Sequence, residues 1–317
     1  MKTEQALLIG LAVGVVALAA AYEFGSAAPD SKRKEITPES LKIGMTNPPL
    51  WIFYNDSEVN SRHWYDFGAR SGRAINLPLL NTLYERIVLK NGKEYRVEVL
   101  GGLTGVAERL GGWGAMPATL RNPKAKVAQA EEDWIRTAIL AKYGGLWLSP
   151  SVVALKGFGK LPADKVVAFG QDDVPMYGSA VPGFRALWAP SPNLPMFVEW
   201  EKRCRNRLEV QLGGRQIRGD AKGDWIELCL SHGGGCEVRP YCELGRNPKT
   251  NKKLELEDLF AVGTQGRLPF EIPSEAVYLV VPYEDLLNRR QFGWILRSSE
   301  DQIMSSDLAL RYIFELA

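Results

Sequence analysis

Between residues 132 and 151 the sequence sets out two carboxylates, a guanidinium, two glycines and two hydroxyls: Glu132 and Asp133, Arg136, Gly144 and Gly145, then Ser149 and Ser151 on either side of Pro150. A guanidinium's planar fork matches phosphate oxygens as well as a carboxylate. The spacings, i,i+3 from Asp133 and i,i+4 from Glu132 to Arg136, are equally those of ion pairs on a helix surface. Both readings stand on the residues alone. The glycines permit a sharp turn and a close approach of backbone to ligand, and Gly144 would also serve as a plain helix cap.

Other acidic groups lie where sheet and helix ends are expected. "GQDDVPMYG" puts Asp172 and Asp173 just past a strand, either as a solvated turn or as carboxylates at a sheet end. "RGDAKGDWIE" puts Asp220 and Asp224 before a helix, with Asp224 expected as its N-cap. Tyr54, Asn55 and Asp56 close an apolar run. "GGLTGVAERLGG" has neither the GxGxxG order nor a GK[ST], so it supports no dinucleotide or P-loop reading.

His63 and His232 are the only histidines, too few for a histidine-rich metal centre. Cys204, Cys229, Cys236 and Cys242 match no CxxC motif, although Cys236 and Cys242 could bridge a loop in an oxidising compartment. The 39 basic and 37 acidic residues leave a net charge of +2 with no basic stripe, so nothing points to nucleic acid.

Positioning those groups falls to alternating strands and helices. "LWIFYN" and "EYRVEVL" read as strands, with "LPLLNTLYERIVLKNG" between them showing helical spacing at Leu79, Leu83 and Ile87. "LTGVAERLGG" and "KVAQAEEDWIRTAILAKYGG" are expected as helices, the second with Ala130, Trp134, Ala138 and Ala141 on one stripe and Ile135 and Ile139 beside it. Strands are expected at "GLWLS", "VVAL", "KVVAFG", "RALWAP" and "AVYLVVP". Helices are expected at "PMFVEWEKRCRNRLEV", "GDWIELCLS" and a single C-terminal "EDQIMSSDLALRYIFELA". This order predicts an α/β sheet flanked by helices.

Before that body, "ALLIGLAVGVVALAAAY" (residues 6–22) carries no charge and would reach roughly 25 Å as a helix. With "SKRK" after it, the segment is expected to be a single-pass membrane anchor with the main domain facing the cytoplasm. A signal peptide cleaved before secretion and a buried core helix are the alternatives. The expected organisation is therefore an anchor over 1–28, a linker over 29–46, and one domain over 47–317.

The block "EDWIRTAILAKYGGLWLSPSVV" resembles the "SDxxRxxxLxxYGGxWxDxxV" block of GT-A glycosyltransferases related to capsular polysaccharide synthesis proteins and the DXD sugar-binding group. "PPLWIFYND" is similar to the family's first strand. The resemblance implies a GT-A-like, Rossmann-like mixed sheet, with a donor half over 47–170 and an acceptor half over 171–317. It implies a nucleotide-diphosphate sugar as donor and a glycan or lipid-linked acceptor. Asp133 and Arg136 would hold the donor, Tyr54 and Asn55 would lie near its base, Gly144 and Gly145 would form the turn, and Ser149 and Ser151 would face the diphosphate.

Here the sequence departs from its relatives. Ser149 and Ser151 fill the outer positions of the family's metal motif, and the first is usually a carboxylate. Mg²⁺ and Mn²⁺ prefer anionic oxygen, so two serines disfavour either ion. A carboxylate from Asp172 or Asp173, or a metal-independent mechanism in which Lys or Arg holds the diphosphate, would answer the loss; Asp224 falls in the half from which the family draws its acceptor-site carboxylates. The alternative is a catalytically inactive GT-A-fold module tethered to a membrane or particle shell.

Overall fold

A computed structural model describes residues 46–55, 78–125, 127–172, 181–212, 220–232, 235–247, 249–250, 252–262, 268–289 and 291–316. The chain divides into Met1–Ile43 and Gly44–Ala317, and the described residues all belong to the second unit. The expected anchor over residues 6–22 lies outside the described residues. Among those described, no helix is long and apolar enough to cross a membrane.

β1 (Pro49–Tyr54) shows why this is a sheet with two covered faces. Its Leu50, Ile52 and Tyr54 enter one buried cluster, and Trp51 and Phe53 enter another. Strict alternation with both faces apolar is what a central strand requires. β2 (Arg96–Gly101) and β3 (Gly145–Leu148) pair with it in parallel on either side. The sheet continues through β6 (Val181–Ala189) and β5 (Val166–Asp172) to β7 (Cys236–Arg239), in the order β2-β1-β3-β6-β5-β7. β6 is antiparallel to both β3 and β5, and β5 is parallel to β7. Every strand except β6 therefore ends at the same edge, where sheets of this kind place their ligands.

The helices divide between the two faces. α1 (Pro78–Asn91) buries Leu79, Leu83 and Ile87, as their spacing predicts, against Leu50 and Ile52. A small second sheet covers the rest of that face. It has the order β4-β9-β8, formed by β4 (Val152–Ala154), β8 (Glu243–Leu244) and β9 (Tyr278–Val280).

The other face carries α2 (Gly102–Leu110), α3 (Gln129–Tyr143), α4 (Pro195–Leu212) and α5 (Ala221–Ser231). Trp200 of α4 and Trp225 of α5 stack with ring centroids 4.7 Å apart. Their indole N–H groups donate to Ala221 O and Gly183 O, so two large apolar bodies are buried without an orphaned donor. Each such side chain contributes about 1.5–3 kcal/mol on burial.

One expectation is corrected. The C-terminal helix is two short ones, Glu300–Met304 and Ala309–Leu316, with Ser299 capping the first. The edge strand β7 has four half-buried residues without alternation, so no sequence period marks it.

Candidate functional site

α3 is held at its N-terminus by Glu131, whose carboxylate accepts from Ala128 N–H, with Glu131 and Glu132 favourably placed at the positive end of the helix dipole. The chain then leaves α3 through Gly144 (φ +64) and Gly145 (φ +93) directly into β3. A Cβ on Gly144 would lie 2.8 Å from Ser191 C, and one on Gly145 would lie 2.5 Å from Pro49 O. The space beside both glycines is thus filled by the chain itself. Trp51 Nε1–H donates to Gly144 O at 2.9 Å, which fastens the turn to β1.

That turn sets α3 against the sheet so that Asp133 and Arg136 face inward. Only 4% of the Arg136 side chain and 11% of the Asp133 side chain are exposed, which corrects the surface ion-pair reading. Arg136 Nη1 donates to Asp133 Oδ1 at 2.8 Å, and Gln129 Nε2 donates to the same oxygen at 2.9 Å. Glu132 Oε1 lies 3.6 Å from Arg136 Nη2. Among the described residues Asp133 Oδ2 receives no hydrogen bond and Arg136 Nε–H has no acceptor.

The guanidinium lies over the rings of Phe184 (4.9 Å) and Trp147 (5.8 Å), and the Trp147 indole N–H is likewise unpartnered among the described residues. Buried donors without acceptors are rare in native proteins and call for a ligand, a water or an ion.

Two residues past Trp147, the chain crosses from the large sheet to the small one. Ser149 N–H donates to Arg185 O of β6, and Ser151 O accepts from Val281 N–H just after β9, both at 2.9 Å. Ser149 and Ser151 are half-buried, with their hydroxyls 3.2 Å apart. Asn55, at the end of β1, donates to Val127 O just before α3. Asn55 follows β1, Ser149 and Ser151 follow β3, and Asp133 and Arg136 stand in the N-terminal half of α3, whose other end leads directly into β3.

Tyr54 does not join them. It points to the α1 face, where its hydroxyl is buried without a partner among the described residues and burial raises its pKa well above the usual phenol range. Asp172 ends β5 at the same edge, with its backbone paired to Val181. Asp173 and Asp56 lie outside the described residues.

Asp224 is corrected as a cap. Asp220 caps α5, accepting from Gly223 N–H at 2.7 Å, while Asp224 in the first turn bonds Arg207 and lies 3.6 Å from Arg203. The α4 side of the site carries groups that the sequence reading missed. Arg207 has Nε and Nη1 without acceptors among the described residues. Cys204 lies buried near both ion pairs, and burial pushes its thiol up to about 12, with Asp133 and Asp224 adding to the rise and Arg207 and Arg136 opposing it.

A second missed cluster is Glu243, which accepts from Arg185 Nη1 at 3.0 Å and from Tyr278 OH at 2.7 Å beneath the backbone of Gly170. Nothing local marks Glu243, because its strand has only two residues. Arg207 stands in a run of charges, "EKRCRNR", that reads as solvated.

Mg²⁺ or Mn²⁺ does not fit the donors at the crossing loop, which are two neutral hydroxyls. Among the described residues no three His, Cys, Asp or Glu side chains come together as a metal would need.

No family model matches the chain, and no curated protein sequence matches it. Among solved structures it is similar to PaToxG glycosyltransferase, with 11% identity over 60% of this chain and 70% of that one and a TM-score of 0.37. It is also similar to a double cysteine-to-serine mutant of a transferase, with 13% identity over 58% of this chain and 90% of that one and a TM-score of 0.29.

Proposed function

We propose that this protein is a glycosyltransferase that takes its sugar from a nucleotide-diphosphate sugar and works without a divalent cation. One observation carries the reading. Asp133 is fixed by two donors on a single oxygen, Oδ1, while among the described residues Oδ2 receives no hydrogen bond.

A carboxylate oxygen held in place and left without a donor suits a ribose or sugar hydroxyl. The bond from Arg136 lies in a low-dielectric setting, where a charge-assisted hydrogen bond is stronger than in water. On this reading Ser149 and Ser151 would donate to the diphosphate oxygens, and Asn55 would lie near the base. Preorganised donors of this kind stabilise charge growing on a leaving diphosphate. The block from Glu132 to Val153, with its likeness to GT-A enzymes, supports the same assignment. The acceptor is proposed to be a glycan or lipid-linked sugar, brought near by an N-terminal anchor at residues 6–22.

Thermal unfolding in the presence of UDP- and GDP-sugars, with and without Mn²⁺, tests this. A ligand at about 100 times its Kd stabilises the fold by ~2.7 kcal/mol. The expected result is a shift with one nucleotide sugar that Mn²⁺ leaves unchanged. No shift with any of them favours an inactive module that keeps the fold alone. For the anchor, the test is whether the protein sediments with membranes and is released by deleting residues 1–28.

A further inference from the structure

Away from that site, two sulfur atoms stand unusually close. Cys229, near the end of α5, and Cys236, the first residue of β7, are both thiols and place Sγ 2.9 Å from Sγ. Backbone bonds bring them together. Gly235 N–H donates to His232 O at 2.7 Å, and Gly235 O accepts from Val166 N–H at 3.0 Å, so β7 starts against the end of α5.

A metal site would need a third and a fourth ligand. Among the described residues none joins the pair, and His232 turns Nδ1 toward Leu228 O at 2.9 Å. Packing alone is what Cys204 shows, buried among α3 and α4 side chains with no sulfur beside it among the described residues. A bridge between Cys236 and Cys242 is one option the sequence leaves open; in the structure Cys236 meets Cys229 instead.

We propose that Cys229 and Cys236 form a thiol–disulfide site that closes into an intramolecular bond on meeting a low-molecular-weight disulfide such as oxidised glutathione. Cys236 is the less buried thiol and reacts first. Its thiolate attacks one sulfur of the small disulfide, and the other sulfur leaves as a thiolate that takes up the proton Cys236 lost. Cys229 is buried, and its bond to Cys236 together with that burial raises its pKa, so it stays a thiol while Cys236 attacks. It loses its proton as it attacks the Cys236 sulfur and expels the second small thiol, which carries that proton away. Two cysteines are oxidised and one small disulfide is reduced to two thiols. The new bond ties α5 to an edge strand that pairs only with β5 among the described residues.

The test equilibrates the full chain over a series of reduced-to-oxidised glutathione ratios, quenches with acid, unfolds, alkylates and maps the peptides by mass spectrometry. The expected product is a linked Cys229–Cys236 peptide pair two hydrogens lighter than the dithiol, with Cys204 and Cys242 both alkylated. Alkylation of Cys229 and Cys236 at every ratio, a lasting glutathione adduct in the wild-type chain, or a bond from Cys236 to Cys242 would each overturn the proposal. In Cys229→Ser the reaction should stall with glutathione on Cys236, and an unmodified Cys236 there would refute the order of attack.

Discussion

Asp133 and Arg136 form an ion pair inside the protein. Arg136 Nη1 and Asp133 Oδ1 are 2.8 Å apart, and both side chains are almost wholly shielded between α3 and the sheet. Desolvating two charges costs several kcal/mol each, so such a pair adds little net stability over an apolar replacement. Removing one partner is different, because it strands the other charge. Asp133→Ala should therefore destabilise by about 3–5 kcal/mol. The paired replacement Asp133→Leu with Arg136→Met should cost much less, as read by urea unfolding. The folded double variant should also lose the thermal shift given by the nucleotide sugar. A double variant that folds and still binds the sugar like wild type would falsify the assignment of donor binding to this pair.

Ser149 offers the complementary gain of function. It stands at the crossing between the two sheets, half-buried and 3.2 Å from the Ser151 hydroxyl. If the loop faces the diphosphate, Ser149→Asp places an anionic oxygen where a dication could bridge protein and ligand. The variant should show a thermal shift with nucleotide sugar that is larger in Mn²⁺ than in EDTA, whereas wild type should show no such difference. Equal shifts for the variant in both buffers would mean that the loop lies elsewhere.

Regular periodicity made most of the scaffold legible. Leu79, Leu83 and Ile87 gave α1 because a helix buries every third or fourth residue, and the unbroken apolar run 50–54 gave a strand covered on both faces. The stretch from Glu132 to Ser151 was legible as a helix, a glycine turn and a strand because its elements are contiguous in sequence. What stayed hidden depends on distant partners. The i,i+3 spacing of Asp133 and Arg136 is the same on an exposed helix and a buried one, and only the packing of Trp147 and Phe184 around the guanidinium separates them. Asp220 and Asp224 are both sound N-caps in sequence. The presence of Arg203 and Arg207 on the neighbouring helix draws Asp224 away to an ion pair. Glu243 acquires its environment from Arg185 and Tyr278, both more than thirty positions away.

Two glycines should differ sharply in tolerance. Gly145 has φ +93, and its missing Cβ would lie 2.5 Å from Pro49 O, a backbone atom of the central strand that cannot easily move. Left-handed backbone costs an alanine about 1–2 kcal/mol before any clash, and overpacking adds about 1–3 kcal/mol. Gly145→Ala should therefore lose roughly 2–5 kcal/mol. Gly101, at the end of β2, has φ −83, and a methyl group there would meet nothing within 4 Å. Gly101→Ala should accordingly stay within about 1 kcal/mol of wild type. Chemical denaturation of the two variants decides it, and similar losses in both would contradict the packing described for the turn.

Alkaline pH should destabilise the fold through its buried phenols. Tyr54 and Tyr278 are both shielded, and burial raises each pKa well above the usual value near 10, with the Glu243 carboxylate adding to the effect at Tyr278. Above pH ~10 the unfolded chain releases these protons and the folded chain keeps them, so the unfolded state binds fewer protons and stability falls as pH rises. Each phenol contributes a slope of about 1.4 kcal/mol per pH unit, hence roughly 3 kcal/mol per unit for the two. Lysines and thiols titrate in the same range, so the useful quantity is the difference between wild type and Tyr54→Phe. At pH 8 that variant should match or exceed wild type, because it removes a buried hydroxyl that has no partner among the described residues. Between pH 10 and pH 12 its stability should fall less steeply, by about 1.4 kcal/mol per unit, in urea titrations followed by tryptophan fluorescence. Parallel curves for the two proteins would place the Tyr54 hydroxyl in contact with water.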